Sequence, residues 1–123
     1  MPFNTDYFRE ILQDRQAVVL DDVGRHMNEL ASEREAIFLR DVTDTRDVSF
    51  ASAVAGIRQA GLQREAEELE DIRGALARIE NGVYGLCLVC EKPIPEERLE
   101  AWPTAKRCRP CQQEHEQAKA RRA

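Results

Sequence analysis

The chain has 123 residues, of which 33% are charged and only 6% aromatic, and its formal net charge is −5. That length fits one compact domain or a small domain with an extended appendage, and so polar a composition argues against a thick globular core and for long solvated helices. The acidic balance disfavours a general nucleic-acid binder, which needs surplus Lys and Arg on its binding face, so direct DNA binding is not expected and protein partners are. No run of about 18 apolar residues occurs, which excludes a helical membrane span.

The first residues, Met1-Pro2-Phe3-Asn4-Thr5-Asp6, lack the basic and then apolar segments of a secretion signal, so a cytoplasmic location with reduced thiols is expected. From Thr5 to about Arg40 the chain is free of proline, and Leu20, Val23, Met27, Leu30 and Ile37 follow alternating steps of three and four, with Arg34 in the one polar slot. This is a heptad seam. His26 lies beside it and reads as an ordinary flanking residue.

The segment Leu39 to Ser49 follows, with Asp41, Asp44 and Asp47 at three-residue intervals. Asp44 or Asp47 suits the cap of a second helix, because a short carboxylate accepts the unpaired amide protons of a first turn. One cap needs only one aspartate, and three carboxylates at an exposed tip can also approach a metal ion or a basic loop in a partner.

A second proline-free stretch runs from about Val48 to Gly82. Phe50, Val54 and Ile57 come first, and after an interruption at Gly61 the seam continues through Leu69, Ile72, Leu76, Ile79 and Val83. A link of about seven residues between two narrow apolar stripes favours an antiparallel hairpin, and at 1.5 Å per residue its arms reach roughly 50 Å. Gly56, Gly61 and Gly74 each cost the second helix about 1 kcal/mol relative to alanine, so packing must hold it. They serve close helix approach or bending, or are simply tolerated at the surface. Asn81-Gly82 marks the helix exit.

Four cysteines follow as Cys87-Leu88-Val89-Cys90, seventeen residues, then Cys108-Arg109-Pro110-Cys111. Two Cys-x-x-Cys knuckles can close a tetrahedral thiolate shell around one zinc ion at about 2.3 Å per bond. Such a site leaves no open position for a substrate water, so it is structural, and no nucleophile and base constellation points to an enzyme. Disulfides would require an oxidising compartment, and a redox-active pair would require a thioredoxin-like βαβ pattern that is missing here. His115, four residues past Cys111, can replace a cysteine as ligand, but with four thiolates available it reads as a solvated helix residue. Glu91 stands just after the second cysteine, where knuckles often use a small residue such as glycine for a left-handed turn. Trp102 is expected to pack over the zinc module, with a partner-binding aromatic as the alternative. Lys106, Arg107 and Arg109 surround the third cysteine as solvated cations that also stabilise thiolates. The polar tail from Gln112 to Ala123 is helix-forming, with Lys119, Arg121 and Arg122 suited to the negative end of its dipole.

The expected fold is therefore mainly α: a long antiparallel coiled-coil hairpin over residues 1–83 with its tip at about 41–49, a small C4 zinc-finger module over 84–111, and a C-terminal helix over 112–123.

The segment Tyr84-Gly85-Leu86-Cys87-Leu88-Val89-Cys90, followed by Ile94-Pro95, Arg98-Leu99-Glu100-Ala101, Pro103-Thr104-Ala105, Cys108 and Cys111-Gln112, resembles the zinc finger of the DksA/TraR family of bacterial transcription regulators. The motif covers about a third of the chain, and the hairpin before it agrees with the family architecture. The resemblance implies a bacterial, cytoplasmic protein that binds RNA polymerase rather than DNA, inserts its coiled coil into the secondary channel, places acidic tip residues near the active centre and takes part in the stringent response. DksA-type members act there with ppGpp on ribosomal RNA and biosynthetic promoters. The family tip motif is Asp-x-x-Asp-x-Ala. Counting back without gaps from Cys87 sets Asp44 and Asp47 on its aspartates and Ser49 on its alanine; a register shifted by three uses Asp41 and Asp44 with Arg46 at the alanine position. The gapless register is preferred, since a shift would have to be absorbed within the second helix. In both registers the alanine is absent, and the sequence before the hairpin is shorter than in DksA, which leaves ppGpp at the polymerase interface an open expectation. The alternative function is a zinc-stabilised protein-interaction module that keeps this architecture without regulating polymerase.

Overall fold

In the computed structural model, the described backbone covers residues 4–40 and 45–122, and the described side chains are those of these residues other than 34, 36–40 and 45–54. Four helices follow in order: α1 (Thr5–Arg40), α2 (Thr45–Glu80), α3 (Glu96–Ala101) and α4 (Arg109–Arg122). The tip candidates Asp41 and Asp44 lie outside the described residues, as do the side chains of Arg46, Asp47 and Ser49. The fold is the expected coiled-coil hairpin with a C4 module, mainly α, and its only pairing of extended backbone among the described residues is one antiparallel bridge, Leu86 to Pro93.

Local chemistry sets the helix ends. Asn4 caps α1, its Oδ1 accepting from the Tyr7 amide at 3.2 Å, which satisfies one of the unpaired donors of the first turn. α2 ends in a Schellman motif: Gly82 adopts φ 73°, its amide donates to the Ile79 carbonyl at 3.1 Å, and the Val83 amide donates to the Arg78 carbonyl at 2.9 Å. Asn81-Gly82 thus ends α2 as the sequence indicates. α4 begins at Arg109, three residues before the expected 112, so Cys111 sits in its first turn with Pro110 at a position that needs no amide donor. Its last turn carries Lys119, Arg121 and Arg122, matched to the dipole.

The chain divides into two compact units, one of residues up to Asp14 and from Asp71 onward, the other Arg15–Glu70. In the first, Phe8 and Leu12 of α1 and Ile72, Ala75 and Ile79 of α2 pack with Tyr84, Ile94, Leu99 and Ala105 of the finger. Phe8 and Tyr84 pack with ring centroids 5.5 Å apart and their planes tilted by 44°. Burying each such large apolar side chain contributes about 1.5–3 kcal/mol, so this small core is anchored by few residues.

In the second unit the buried seam differs from the expected one. On α1 the seam runs through the buried or half-buried Val19, Val23, His26, Leu30 and Glu33, while Leu20 and Met27 are 55% and 58% exposed. Val23 and Leu30 hold their expected places, but the alternate slots move back by one residue from 20, 27 and 34 to 19, 26 and 33. On α2 the seam runs Ala55, Arg58, Leu62, Glu65 and Leu69, so the stretch around Gly61 is a polar continuation of the seam, and Ile57 is 74% exposed. The shift has a physical cause. Charged side chains on the two helices answer one another across the new frame: Arg15 holds Glu68 through two hydrogen bonds of 2.6 and 3.1 Å, His26 Nδ1 lies 2.7 Å from Glu65 Oε1, and Arg58 pairs with both Glu29 and Glu33. In the first unit Ile72, Leu76 and Ile79 keep their expected roles, whereas Val83, past the Schellman turn, is exposed. Phe50, Val54 and Ile37 fall among the side chains outside the description.

Candidate metal centre

The finger is built from two knuckles. Gly85, at φ 84°, turns the chain into the first, where the Cys87 amide donates to the Lys92 carbonyl at 2.9 Å and the Ile94 amide to the Gly85 carbonyl at 2.7 Å. The Glu91 amide closes the knuckle on the Cys87 carbonyl at 3.0 Å, with Glu91 itself at φ 64°. The sequence expectation of a left-handed turn after the second cysteine is met, with an acid in place of glycine at some conformational cost. The Val89 amide reaches Cys87 Sγ at 3.4 Å, as a backbone donor to a thiolate does.

The second knuckle follows α3. Pro95 opens that helix, Glu96 and Glu97 occupy its first turn near the positive dipole end, and Leu99 is its buried residue. The Leu88 amide donates to the Lys106 carbonyl at 2.9 Å, tying one knuckle to the other. Tyr84, fully buried, donates its hydroxyl to the Pro103 carbonyl at 2.8 Å. Cys108 precedes α4, and its carbonyl accepts from the Gln112 amide at 2.9 Å.

These elements bring Cys87, Cys90, Cys108 and Cys111 together, with all four sulfurs within 4.8 Å of one another. The edge of a tetrahedron with bonds of about 2.3 Å is about 3.8 Å, and Cys90 and Cys108 stand 3.7 Å apart, Sγ to Sγ. The donor set of four thiols at this spacing fits one structural zinc ion. All four are free cysteines, Cys87 buried and the others half-buried. Burial opposes ionisation of Cys87, but hydrogen bonds from the backbone at Cys90, Cys108 and Val89 outweigh it and bring its thiol down to about 6. Cys111 is pushed up to about 12, first by its hydrogen bond with Cys108, then by burial and by Cys87 and Cys90. The cluster thus shares protons among its sulfurs, one of them poised as thiolate, and a divalent cation is what lets all four ionise together.

The neighbouring residues take varied roles. His115 is exposed on α4 and lies outside the sulfur cluster. Lys106 pairs with Asp71 at 3.0 Å. Trp102 is 40% exposed, with the Arg98 guanidinium 5.0 Å above its ring, so it sits half out of the module it was expected to cover. Tyr84 and Pro103 belong to the finger motif with no role evident from spacing; a tyrosine three positions before a metal ligand, where an apolar ring alone would fill the core, is the available signal for the bond between them.

Comparison with known proteins agrees with this geometry. Residues 82–117 match the prokaryotic dksA/traR C4-type zinc finger. The chain is similar to the uncharacterized protein YteA of Bacillus subtilis, 61% identical over 41 residues, which are 33% of this chain and 17% of the relative. It is also similar to an uncharacterized protein of Aquifex aeolicus, 44% identical over 52 residues, 42% of this chain and 36% of the relative. The matches therefore span about a sixth to a third of the length of these relatives. Among solved structures, transcription factor DksA2 from Pseudomonas aeruginosa matches with a TM-score of 0.76 and 26% identity, covering 96% of this chain and 85% of the other. Residues 82–117 are thus similar to the DksA/TraR finger, and the chain is similar in fold to DksA2 over nearly its whole length.

Proposed function

We propose that this protein is a non-catalytic transcription regulator that binds RNA polymerase, inserting the hairpin formed by α1 and α2 into the secondary channel and modulating initiation. The observation that carries the reading is the combination of a DksA/TraR-type finger at residues 82–117 with a likeness to a solved transcription factor over 96% of the chain. In this reading residues 1–83 act as the channel-entering hairpin, 84–111 as the zinc-held finger and 112–123 as a C-terminal helix. Asp44 and Asp47, with Ser49 in the alanine position, are the tip residues that approach the active centre. Cys87, Cys90, Cys108 and Cys111 hold the zinc and keep the finger folded.

The test is equilibrium binding of the zinc-loaded protein to purified polymerase of its own organism, with a transcript-cleavage factor that occupies the secondary channel as competitor. Mutual exclusion supports the reading, and absence of binding at tens of micromolar overturns it. The substitutions Asp44→Asn and Asp47→Asn together should abolish the transcriptional effect while leaving helicity and zinc content intact. A serine where the family places a methyl group favours one second reading, a zinc-stabilised interaction module without polymerase regulation; that reading predicts no competition with the cleavage factor.

A further inference from the structure

The ion pairs of the second unit stand on one flank of its seam. Successive helix residues turn by about 100°, so on α1 Arg15, Glu29 and Glu33 fall to one side of the line through Val19, Val23, His26 and Leu30, where they meet Glu68 and Arg58 of α2. Leu20 and Met27 fall to the other side, one heptad apart, and both are exposed. The antiparallel pairing that sets Arg15 beside Glu68 and Glu29 beside Arg58 puts Met27 at the height of Leu62, and Leu20 between Leu62 and Leu69. These two leucines of α2 are only half-buried, so apolar surface is left uncovered on both helices.

The observed frame carries a cost at its charges. Oε2 of Glu33 and Oε2 of Glu65 are buried without a hydrogen-bond partner, which desolvates a carboxylate oxygen with nothing in return. A turn of α1 about its own axis by roughly 60° exchanges Val19, His26 and Glu33 for Leu20, Met27 and Arg34 in the seam, while Val23 and Leu30 serve both frames. The same turn draws Glu29 and Glu33 off Arg58 and Arg15 off Glu68. The ion pairs and the burial of Leu20 and Met27 therefore exclude one another.

We propose that α1 is a two-position element: a clasp of ion pairs holds the observed position, and release of the clasp lets the helix turn to seat Leu20 and Met27 against Leu62 and Leu69. Arg15, Glu68, Arg58 and Glu29 all keep part of their side chains in solvent, so ionic strength acts on the clasp, whereas burial of apolar surface does not depend on charge. Packed helices interconvert between discrete arrangements of this kind rather than deforming continuously. The device is independent of the polymerase reading.

Met27 is its own reporter, since the chain has only two methionines, Met1 and Met27. The experiment follows the ε-methyl signals of the zinc-loaded full chain labelled with 13C-methyl methionine, by relaxation dispersion and by protection from a neutral gadolinium chelate, with zinc content and helical circular dichroism recorded for each variant. Met27 should exchange between an exposed major state and a protected minor one. The protected population should rise about fivefold in R58Q, the size of effect expected for loss of partly exposed ion pairs. It should also rise between about 0.01 M and about 1 M sodium chloride, over which the screening length shrinks from about 30 to about 3 Å. L20Q should lower the protected population about fivefold, because the turned frame then seats a polar side chain. A single exposed Met27 signal, without exchange and unmoved by salt or R58Q, overturns the proposal. So does exchange toward a more exposed state, which is local unfolding of the hairpin, and so does a protected population that L20Q leaves unchanged.

Discussion

The Tyr84 hydroxyl donates a 2.8 Å hydrogen bond to the carbonyl of Pro103, joining the residue three places before the first cysteine to the segment that leads into the third. Both chain segments that deliver thiols are held by this contact, and Tyr84 is fully buried. The Tyr84→Phe substitution keeps the ring against Phe8 but strands a carbonyl. The bond is part-buried, so the expected loss is about 1 kcal/mol, the net worth of a typical intramolecular hydrogen bond. Denaturant unfolding of the zinc-loaded protein checks this, and zinc stoichiometry should stay at one per chain.

The same burial gives an alkaline limit. Loss of solvation raises the Tyr84 hydroxyl to about 12, only partly opposed by the Arg78 guanidinium. In the unfolded chain tyrosine ionises near 10, so between about pH 10 and 12 the unfolded state sheds a proton that the folded state keeps. The contribution is present in full below pH 10 and is lost as pH rises toward 12. Tyr7 is also raised, chiefly by Glu100, so ultraviolet titration of a Tyr7→Phe variant isolates the Tyr84 transition. A normal transition near 10 in the folded protein would contradict the assignment.

Zinc affinity should fall steeply as pH is lowered, because protons compete for the same sulfurs. Cys87 ionises readily, near 6, but Cys111 is held protonated up to about 12 by its neighbours in the absence of a cation. Zinc uptake must therefore displace protons. A chelator competition series from pH 8 to pH 6 should show progressively weaker retention, with proton release detectable by calorimetry in buffers of different ionisation enthalpy. Cys108→Ser should abolish one-to-one binding. Affinity independent of pH would exclude thiolate ligation.

How much of this was legible in sequence depends on how local the cause is. The four thiols, the Gly82 exit and the left-handed residue at position 91 follow from short-range chemistry, and the structure agrees on each. The seam was legible only in part. Val18, Val19 and Leu20 form an apolar run, so two heptad frames compete on α1, and apolarity alone favours 20 and 27. What selects 19, 26 and 33 is the set of charge partners on α2, 25 to 53 residues away, which no local pattern displays. Gly56 and Gly61 illustrate the same limit: an added Cβ would meet nothing within 4 Å at either, so close helix approach is not their use. The tip aspartates were read from spacing and family likeness, and Asp41 and Asp44 fall outside the described residues.

His26 and Glu65 test whether the polar seam specifies or stabilises. His26 Nδ1 and Glu65 Oε1 are 2.7 Å apart in seam positions, and the second carboxylate oxygen of Glu65 is buried without a partner. Replacing His26 alone by leucine leaves that carboxylate in an apolar slot with neither oxygen satisfied, so a loss of about 1–3 kcal/mol is expected. Replacing both residues by leucine removes the stranded oxygen as well and makes these two facing slots apolar, and exchanges of this kind are often neutral or stabilising by about 1–4 kcal/mol. The double variant should therefore melt at or above the temperature of the unaltered protein, whereas the single variant melts below it. The two results together, read by circular dichroism, form a coupling measurement. If the double variant melts lower than the unaltered protein, the pair contributes net stability and the seam is held by charge at this position. If it melts higher, the pair fixes helix register at a cost in stability, and its hairpin should populate alternative alignments once the pair is gone.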